Sequence, residues 1–363
     1  MAGVVLHKNF FRQIHLALAC CVCVFLIVLS VTGALLVYAK DIQAWWSPHY
    51  WLVEPPNKSQ LIDYDQLLEN AEKAYSQPVS YLSIESQRDK AWQGRFLDGK
   101  YFNVNPYTAQ VLVIYDYTDT LYGFTLYLHR WLLWQQADDY PLRNLVSTAV
   151  LLFIILCLVG LYLWAKPAKR LKRLRIKPHK NKRIFYYQLH SVIGVYLTIP
   201  LVLIAFSGLT FNWSKQTSAV IEFITRGPIE ARAASPQVTT AESNRQLSWQ
   251  KAISQAMQSM PDAQLQRIYF AKPDEQVVML RVKNPGEFHP YSYIWFNQLT
   301  GEVLQTQNAS IANVTTQIWN FRYPFHIGNF AGPLLQFFWF ILGLSPLLFV
   351  FTGGYLFIKR KCF

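Results

Sequence analysis

One apolar segment constrains the fold most. It runs from Gln188 to Trp213, QLHSVIGVYLTIPLVLIAFSGLTFNW, and no charged residue occurs from Ser191 to Trp213. A helix of that length is long enough to cross a lipid bilayer. The segment Gln13 to Tyr38 repeats its pattern. Each segment begins with Gln, an aliphatic residue and His, and eighteen residues after the His each has a Gly that follows Thr or Ser, as Thr32-Gly33 and Ser207-Gly208. Two matched intramembrane histidines predict a duplicated unit with a role for the imidazole.

The distribution of charge predicts the topology. Of 363 residues, 52% are hydrophobic and 15% are charged, and the net charge is +13. Residues 1–12, 165–183 and 359–361 together hold fifteen Lys and Arg and no acidic residue. Because basic residues stay on the cytoplasmic side, we expect both termini and the central basic loop there. A short basic loop between two spans needs no other explanation, so no nucleic-acid partner is expected and the lipid bilayer is the expected surrounding.

The predicted fold class is an α+β membrane protein, with a four-helix transmembrane bundle built from the duplicated unit and an α/β region outside the membrane in each copy. Periodicity and turn signals place a helix and four strands in the first outside region, and a helix and three strands in the second. The turn pattern Asn-x-x-Thr-x-x-Val-Leu occurs in both, at Asn105 to Leu112 and at Asn297 to Leu304. The first helix is expected to be an uncleaved signal anchor. The expected segments are helix 1 with the N-terminus (1–38), outside region 1 (39–140), helix 2 (141–164), the basic loop (165–187), helix 3 (188–213), outside region 2 (214–332), and helix 4 with the tail (333–363).

Four of the eight histidines occupy equivalent positions in the two halves. His15 and His190 lie near the inner ends of helices 1 and 3, and His129 and His326 lie at the outer approaches to helices 2 and 4. In a bundle with a pseudo-twofold axis, equivalent positions face each other, and two facing imidazoles can ligate one haem iron. Interfacial histidines that only form hydrogen bonds are the alternative, but the matched set favours a functional role.

Other chemistries find less support in the sequence. Covalent c-type haem is excluded because no CxxCH occurs, and the cysteines lie in spans or in the tail, so no disulfide framework is expected. A zinc site is weakly supported, since the histidine pairs lie at two depths without an acidic or cysteine partner. Neither a nucleophile motif nor a nucleotide-binding glycine motif is present.

The chain resembles the PepSY-associated transmembrane proteins, many of them iron-regulated inner-membrane proteins of Gram-negative bacteria. The features that carry the resemblance are His15 with Thr32-Gly33, His190 with Ser207-Gly208, the two Asn turns and the segment Leu128-His-Arg-Trp-Leu-Leu133. Members include ferric-siderophore reductases with two b haems in a four-span bundle. The resemblance implies two periplasmic PepSY-like domains, two haem b groups whose iron is ligated by His15, His190, His129 and His326, and electron delivery to a ferric siderophore in the periplasm.

Two alternatives remain open at this stage. In one, PepSY-like domains bind a peptide or a partner protein and the helices only anchor them. In the other, the protein transports haem or a metal, although the absence of charged residues from the span cores argues against an ion path. In the leading interpretation, an oxidoreductase of the bacterial inner membrane, the electron donor is cytoplasmic or membrane-bound and is not identified by the sequence.

Overall fold

The computed structural model describes residues 2–57, 61–135, 139–165, 173–238, 247–272 and 275–361. The chain forms two compact units. The first, called the helical unit here, comprises Met1–Ala39, Phe124–Val220 and Arg322–Phe363; the second, the sheet unit, comprises Lys40–Gly123 and Ile221–Phe321. The α-helices are α1 (Ala2–Trp46), α2 (Pro48–Trp51), α3 (Tyr64–Tyr75), α4 (Leu121–Trp131), α5 (Arg143–Ala165), α6 (Lys182–Asn212), α7 (Ser214–Thr225), α8 (Trp249–Met257), α9 (Val314–Ile327) and α10 (Gly332–Lys361).

Four helices of the described chain are long and apolar enough to cross a membrane: Asn9–Trp46, Arg143–Ala165, Lys182–Asn212 and Gly332–Lys359. The four predicted spans are therefore confirmed as helices, and the protein is a membrane protein. Two boundaries differ from the prediction. The helix of the first span continues beyond Tyr38 to Trp46 and stops before Pro48, and α6 begins six residues before Gln188, where the Asn181 side chain accepts a hydrogen bond from the Arg183 N–H. Hydropathy marks where apolar residues end, whereas a helix runs on until a cap or a proline stops it.

The core of the helical unit is a layer of aliphatic and aromatic side chains. Helix α6 packs against both α5 and α10. The buried members of the layer come from all four spans and are Val22, Leu26, Phe153, Leu156, Leu201, Ala205 and Leu342. No ionisable side chain belongs to this set, so the middle of the helical unit is apolar.

The sheet unit contains one antiparallel sheet with strand order β4-β3-β2-β1-β5-β6-β7-β8. The strands are β1 (Val79–Ser83), β2 (Trp92–Phe96), β3 (Tyr101–Val104), β4 (Val111–Tyr115), β5 (Gln264–Tyr269), β6 (Val277–Lys283), β7 (Ser292–Asn297) and β8 (Val303–Gln307). The prediction of two separate outside domains is corrected here, because β1 of the first region pairs with β5 of the second. This pairing covers two strand edges that would otherwise expose unpaired backbone groups. Strand β8 was not predicted.

Helices α3 and α8 cover one face of the sheet. Each begins at a capping residue: Asp63 accepts a hydrogen bond from the Asp65 N–H, and Ser248 accepts one from the Lys251 N–H. Their apolar sides meet inward-facing strand residues such as Leu82, Phe102, Ile268, Leu280 and Ile294, which are fully buried. The opposite face of the sheet does not belong to this core.

The two Asn turns have the same hydrogen bonds. Asn105 Oδ1 accepts from the Tyr107 N–H, and Asn297 Oδ1 accepts from the Leu299 N–H, both at about 2.9 Å. Each turn closes on a residue with positive φ, which is Ala109 in the first and Gly301 in the second. The helix, four strands and turn therefore occur in the same order in both halves of the sheet unit.

Candidate functional site

The helical unit brings the four predicted histidines together as two pairs. His15 on α1 faces His190 on α6, with ring centroids 6.3 Å apart. His129 on α4 faces His326 on α9, with ring centroids 6.2 Å apart. Each pair joins a histidine from the first half of the chain to its equivalent in the second half, as the sequence predicted. We refer to them as the inner pair and the outer pair.

Each imidazole lies against a glycine of a neighbouring span. A Cβ added at Gly33 would lie 3.0 Å from Cε1 of His129, and one at Gly208 would lie 3.1 Å from Cε1 of His326. In the inner pair, the corresponding glycines are Gly160 beside His15 and Gly353 beside His190, with distances of 3.1 and 3.5 Å. Glycine therefore lets the ring approach the helix backbone this closely at Gly33, Gly208 and Gly160, whereas a Cβ at Gly353 would be at an ordinary van der Waals distance.

A hydroxyl next to the glycine binds the histidine in three of the four cases. The Nδ1 atom of His129 lies 2.9 Å from Thr32 Oγ1, and that of His326 lies 2.9 Å from Ser207 Oγ. The Nδ1 atom of His190 lies 2.8 Å from Thr352 Oγ1. The residues involved immediately precede Gly33, Gly208 and Gly353, so the hydroxyl and the glycine form one motif on each span.

The hydroxyl bonds determine the histidine tautomer. Each hydroxyl donates its only hydrogen to a carbonyl of its own helix, at Val28, Ile204 and Leu348 respectively. The hydroxyl oxygen must then accept from the imidazole, so Nδ1 carries the proton. Nε2 keeps its lone pair and is the nitrogen free to bind a metal, while the Nδ1–H bond fixes the ring orientation.

His15 is the exception in this arrangement. Val159 precedes Gly160, whereas Thr352 precedes the equivalent Gly353, and a valine side chain has no hydroxyl. The buried Nδ1 of His15 has no hydrogen-bond partner, although the Leu156 carbonyl lies beside the ring without meeting hydrogen-bond geometry. The inner pair is thus asymmetric, with one hydroxyl-bound imidazole and one without that bond.

The surroundings of the outer pair favour neutral imidazoles. Burial is the main cause that lowers the pKa of His129 and His326, and the nearby Arg130 cation lowers both further. The Arg130 guanidinium lies 4.4 Å from the ring centroid of Trp131 and 5.7 Å from that of Phe211. Phe211 in turn meets His326 edge-on, at 5.3 Å between centroids. A neutral imidazole is the form that ligates iron.

The ring separation within each pair fits two imidazoles on one iron. A metal–imidazole bond of about 2 Å, plus about 1 Å from the nitrogen to the ring centre, places two opposed rings about 6 Å apart. A bare metal ion would need more ligands, and the described residues contain no group of three or more His, Cys, Asp or Glu that could hold one. The weakly supported zinc site therefore finds no ligand set there. Haem b supplies its own equatorial nitrogens and needs only the two axial ligands, so these residues fit haem.

The remaining histidines lie elsewhere. His49 and His179 are exposed, and His289 is half-buried in the sheet unit. The side chain of His7 lies outside the described residues. Sequence reasoning missed Thr352, although the dipeptide Thr352-Gly353 repeats Thr32-Gly33 and could have revealed it.

Comparison with known proteins gives one match and one negative result. No curated protein matches the chain. The sequence profile of the PepSY-associated TM region matches residues 12–360, from the start of the first span to the end of the last. The chain therefore belongs to the family of PepSY-associated transmembrane proteins.

Proposed function

We propose that this protein is a transmembrane haem-b electron carrier that reduces ferric iron in siderophores at the periplasmic face, which makes it an oxidoreductase. The observation that carries the proposal is the pair of facing histidines at each of two levels, with ring centroids 6.3 and 6.2 Å apart. Two haem b groups are expected, one ligated by His15 and His190 and the other by His129 and His326.

The proposal includes an evolutionary origin and a topology. The matched order of span, outside region, histidine segment and span supports a duplicated unit, with one PepSY-like half-sheet in each copy. The basic residues at both ends and in the central loop support a bacterial inner-membrane protein whose termini lie in the cytoplasm.

The residues of the chain have distinct roles in this proposal. Nε2 of each histidine would hold the haem iron, and the hydroxyls of Thr32, Ser207 and Thr352 hold three of the rings through Nδ1–H. The apolar layer between the pairs excludes water and ions. Haem b bound at each pair would supply a one-electron Fe(III)/Fe(II) couple.

The proposal also gives a direction of electron transfer. One electron per ferric ion enters from a cytoplasmic or membrane donor near the inner pair. It leaves near the outer pair, because each histidine of that pair comes at the end of an outside region in the sequence. The basic central loop suits an acidic donor such as a flavoprotein. A siderophore holds Fe(III) through hard oxygen ligands, so reduction to Fe(II) weakens the complex and frees the iron.

The test is a visible absorption spectrum of the purified protein, oxidised and dithionite-reduced, with haem quantified. We expect two b haems in the wild type, about half the haem in His190→Ala and in His326→Ala, and full haem in the exposed control His179→Ala. Reduced wild type should be reoxidised by a ferric siderophore, and reduced His326→Ala should not.

Two results would contradict the proposal. A colourless wild-type protein would favour a membrane-anchored module that binds a peptide or a partner without redox activity. A haem-loaded protein whose reduced form is not reoxidised by ferric siderophores would be a haem protein with another electron acceptor, or a haem or metal transporter.

A further inference from the structure

The face of the sheet opposite α3 and α8 carries arginine and tyrosine side chains in neighbouring register positions. Tyr81 pairs with Arg95 on one side and with Tyr269 on the other, and Arg95 pairs with Tyr101. Two residues further along β5, and so on the same face, Arg267 pairs with Arg281. Because paired residues share a face, these side chains form one surface. We call it the arginine–tyrosine face and define it by Tyr81, Arg95, Tyr101, Arg267, Tyr269 and Arg281.

The charge on this face is unbalanced. None of the eight strands contains an Asp or a Glu. Arg267 and Arg281 stand directly opposite each other on adjacent strands, an arrangement of like charges that destabilises a sheet. Among the described residues, neither arginine forms an ion pair with a carboxylate. An anion bound between them would offset this repulsion.

The immediate partners of Arg267 are neutral. Its Nε donates to Ser83 Oγ at 2.9 Å, and its Nη1 donates to the Tyr269 hydroxyl at 3.2 Å. Its guanidinium lies 4.5 Å from the ring centroid of Tyr81, in a half-buried position. Burial raises the pKa of Tyr81, so its phenol is protonated and cannot be the counter-anion. The hydrogen bonds and ring contacts orient the guanidinium but leave its charge uncompensated.

Aromatic rings accompany the arginines along the face. The Arg95 guanidinium lies 5.7 Å from the ring centroid of Tyr101. The Tyr81 ring lies 5.8 Å from that of Tyr269 and 6.3 Å from that of Tyr101. Guanidinium groups bind oxygen anions through charge-assisted hydrogen bonds. The planar guanidinium group and the tyrosine ring can both stack on aryl groups. The face thus offers cationic and aromatic contacts side by side.

We propose that the arginine–tyrosine face binds an anionic ferric chelate with aryl groups, of the tris(catecholate) class. The proposal rests on the function proposed above and names its substrate class. A tris(catecholate) complex of a trivalent metal carries three negative charges and three aryl rings, which match the arginines and the tyrosines. A trihydroxamate complex is not anionic and lacks catechol rings, so it would gain from neither.

The experiment is calorimetric titration of the purified full chain, in a neutral detergent, with a Ga(III) tris(catecholate) complex. Gallium has the charge of ferric iron but is not reduced, so binding is measured apart from electron transfer. We expect the wild type to bind this complex at least about tenfold more tightly than a Ga(III) trihydroxamate. Arg267→Gln and Arg281→Gln should each weaken binding by about tenfold or more, since each removes a charge-assisted contact. Arg88→Gln, in an exposed turn outside the strands, is the matched control and should bind as the wild type does.

Several outcomes would overturn the inference. Equal affinity for the two gallium complexes would overturn it, and so would unchanged binding by both arginine variants. Displacement of the catecholate complex by inorganic phosphate, at a concentration similar to that of the complex, would indicate a general anion site instead. Circular dichroism identifies a variant that fails to fold, and the other arginine variant then decides. Haem is quantified in the same samples. A haem-loaded protein that does not bind the catecholate complex overturns this inference alone, whereas absence of haem overturns the proposed function.

Discussion

The asymmetry of the inner histidine pair gives a prediction that can be worked out in detail. Thr352 bonds His190 through Nδ1, whereas Val159 occupies the equivalent place beside His15 and leaves Nδ1 without a partner. Thr and Val have nearly the same shape, so the hydroxyl can be removed by Thr352→Val and supplied by Val159→Thr with little change in volume. In the latter variant, the new hydroxyl could donate to its own helix, as Thr352 donates to the Leu348 carbonyl.

The size of the effect follows from the energy of one buried hydrogen bond. An acceptor on Nδ1–H makes the imidazole a more basic ligand, which favours Fe(III) over Fe(II) and lowers the reduction potential. Such a bond contributes about 1 kcal/mol net. Since 59 mV corresponds to a tenfold change for a one-electron couple, 1 kcal/mol corresponds to about 40 mV. We therefore expect Thr352→Val to raise the potential of the inner haem by up to about 40 mV and Val159→Thr to lower it by a similar amount.

The assay is a spectroelectrochemical titration of the purified protein, in which we expect the two proposed haems to titrate separately. Thr198→Val is the matched control, because this buried threonine lies on the same helix as His190 and donates only to the Gly194 carbonyl. Its potentials should equal those of the wild type. The double variant, Val159→Thr with Thr352→Val, should restore the inner potential nearly to its original value.

The refuting results are specific. If both single variants keep their haem and neither shifts the inner potential by more than about 10 mV, the hydroxyl does not tune the ligand. If Thr352→Val lowers the potential instead, the proton assignment on Nδ1 is wrong, because a hydroxyl that donates to the imidazole would have the opposite effect.

Two further predictions concern packing and topology. Gly160→Ala would place a Cβ 3.1 Å from Cε1 of His15, so we expect this variant to lose the inner haem, measured by absorbance. Gly354→Ala is the control and should keep the haem, because a Cβ there meets nothing within 4 Å. Equal haem in both variants would show that the glycine contact is not required. Alkaline phosphatase fused after Lys177 should be inactive, and fused after Asn105 it should be active, since the enzyme folds only outside the cytoplasm; the reverse pattern would invert the proposed topology.

The sequence predicted the features that depend on local pattern. Long charge-free runs specify membrane helices, and a histidine at a fixed distance from a glycine keeps that distance in any helix. The pairing of His15 with His190 could be predicted because both occupy the same frame of a repeated segment. The four strands predicted in the first outside region are present there as β1 to β4.

The features that the sequence did not reveal depend on tertiary contacts. Nothing in β1 or β5 marks them as partners, because edge pairing is decided by which unpaired backbone groups meet. The continuation of α1 to Trp46 was missed because hydropathy falls at Lys40 and Asp41, whereas no glycine or proline occurs from there to Trp46. The link between Thr352 and His190 spans 162 positions in the chain and becomes visible only when α6 and α10 pack together.

The depth between the two histidine levels bears on which cargo can cross the helical unit. His15 and Gly33 lie on one helix eighteen residues apart, and Gly33 contacts His129, so the levels are about 27 Å apart along α1. The space between them is filled by apolar side chains such as Val22, Phe153 and Leu201. Span residues between the two levels carry no charge, and the hydroxyls of Thr32 and Ser207 donate to their own helices. An ion would have to leave water with no charged side chain on this path, whereas an electron needs no such ligands. This physical difference is why the apolar layer favours an electron carrier over an ion or metal transporter for this protein.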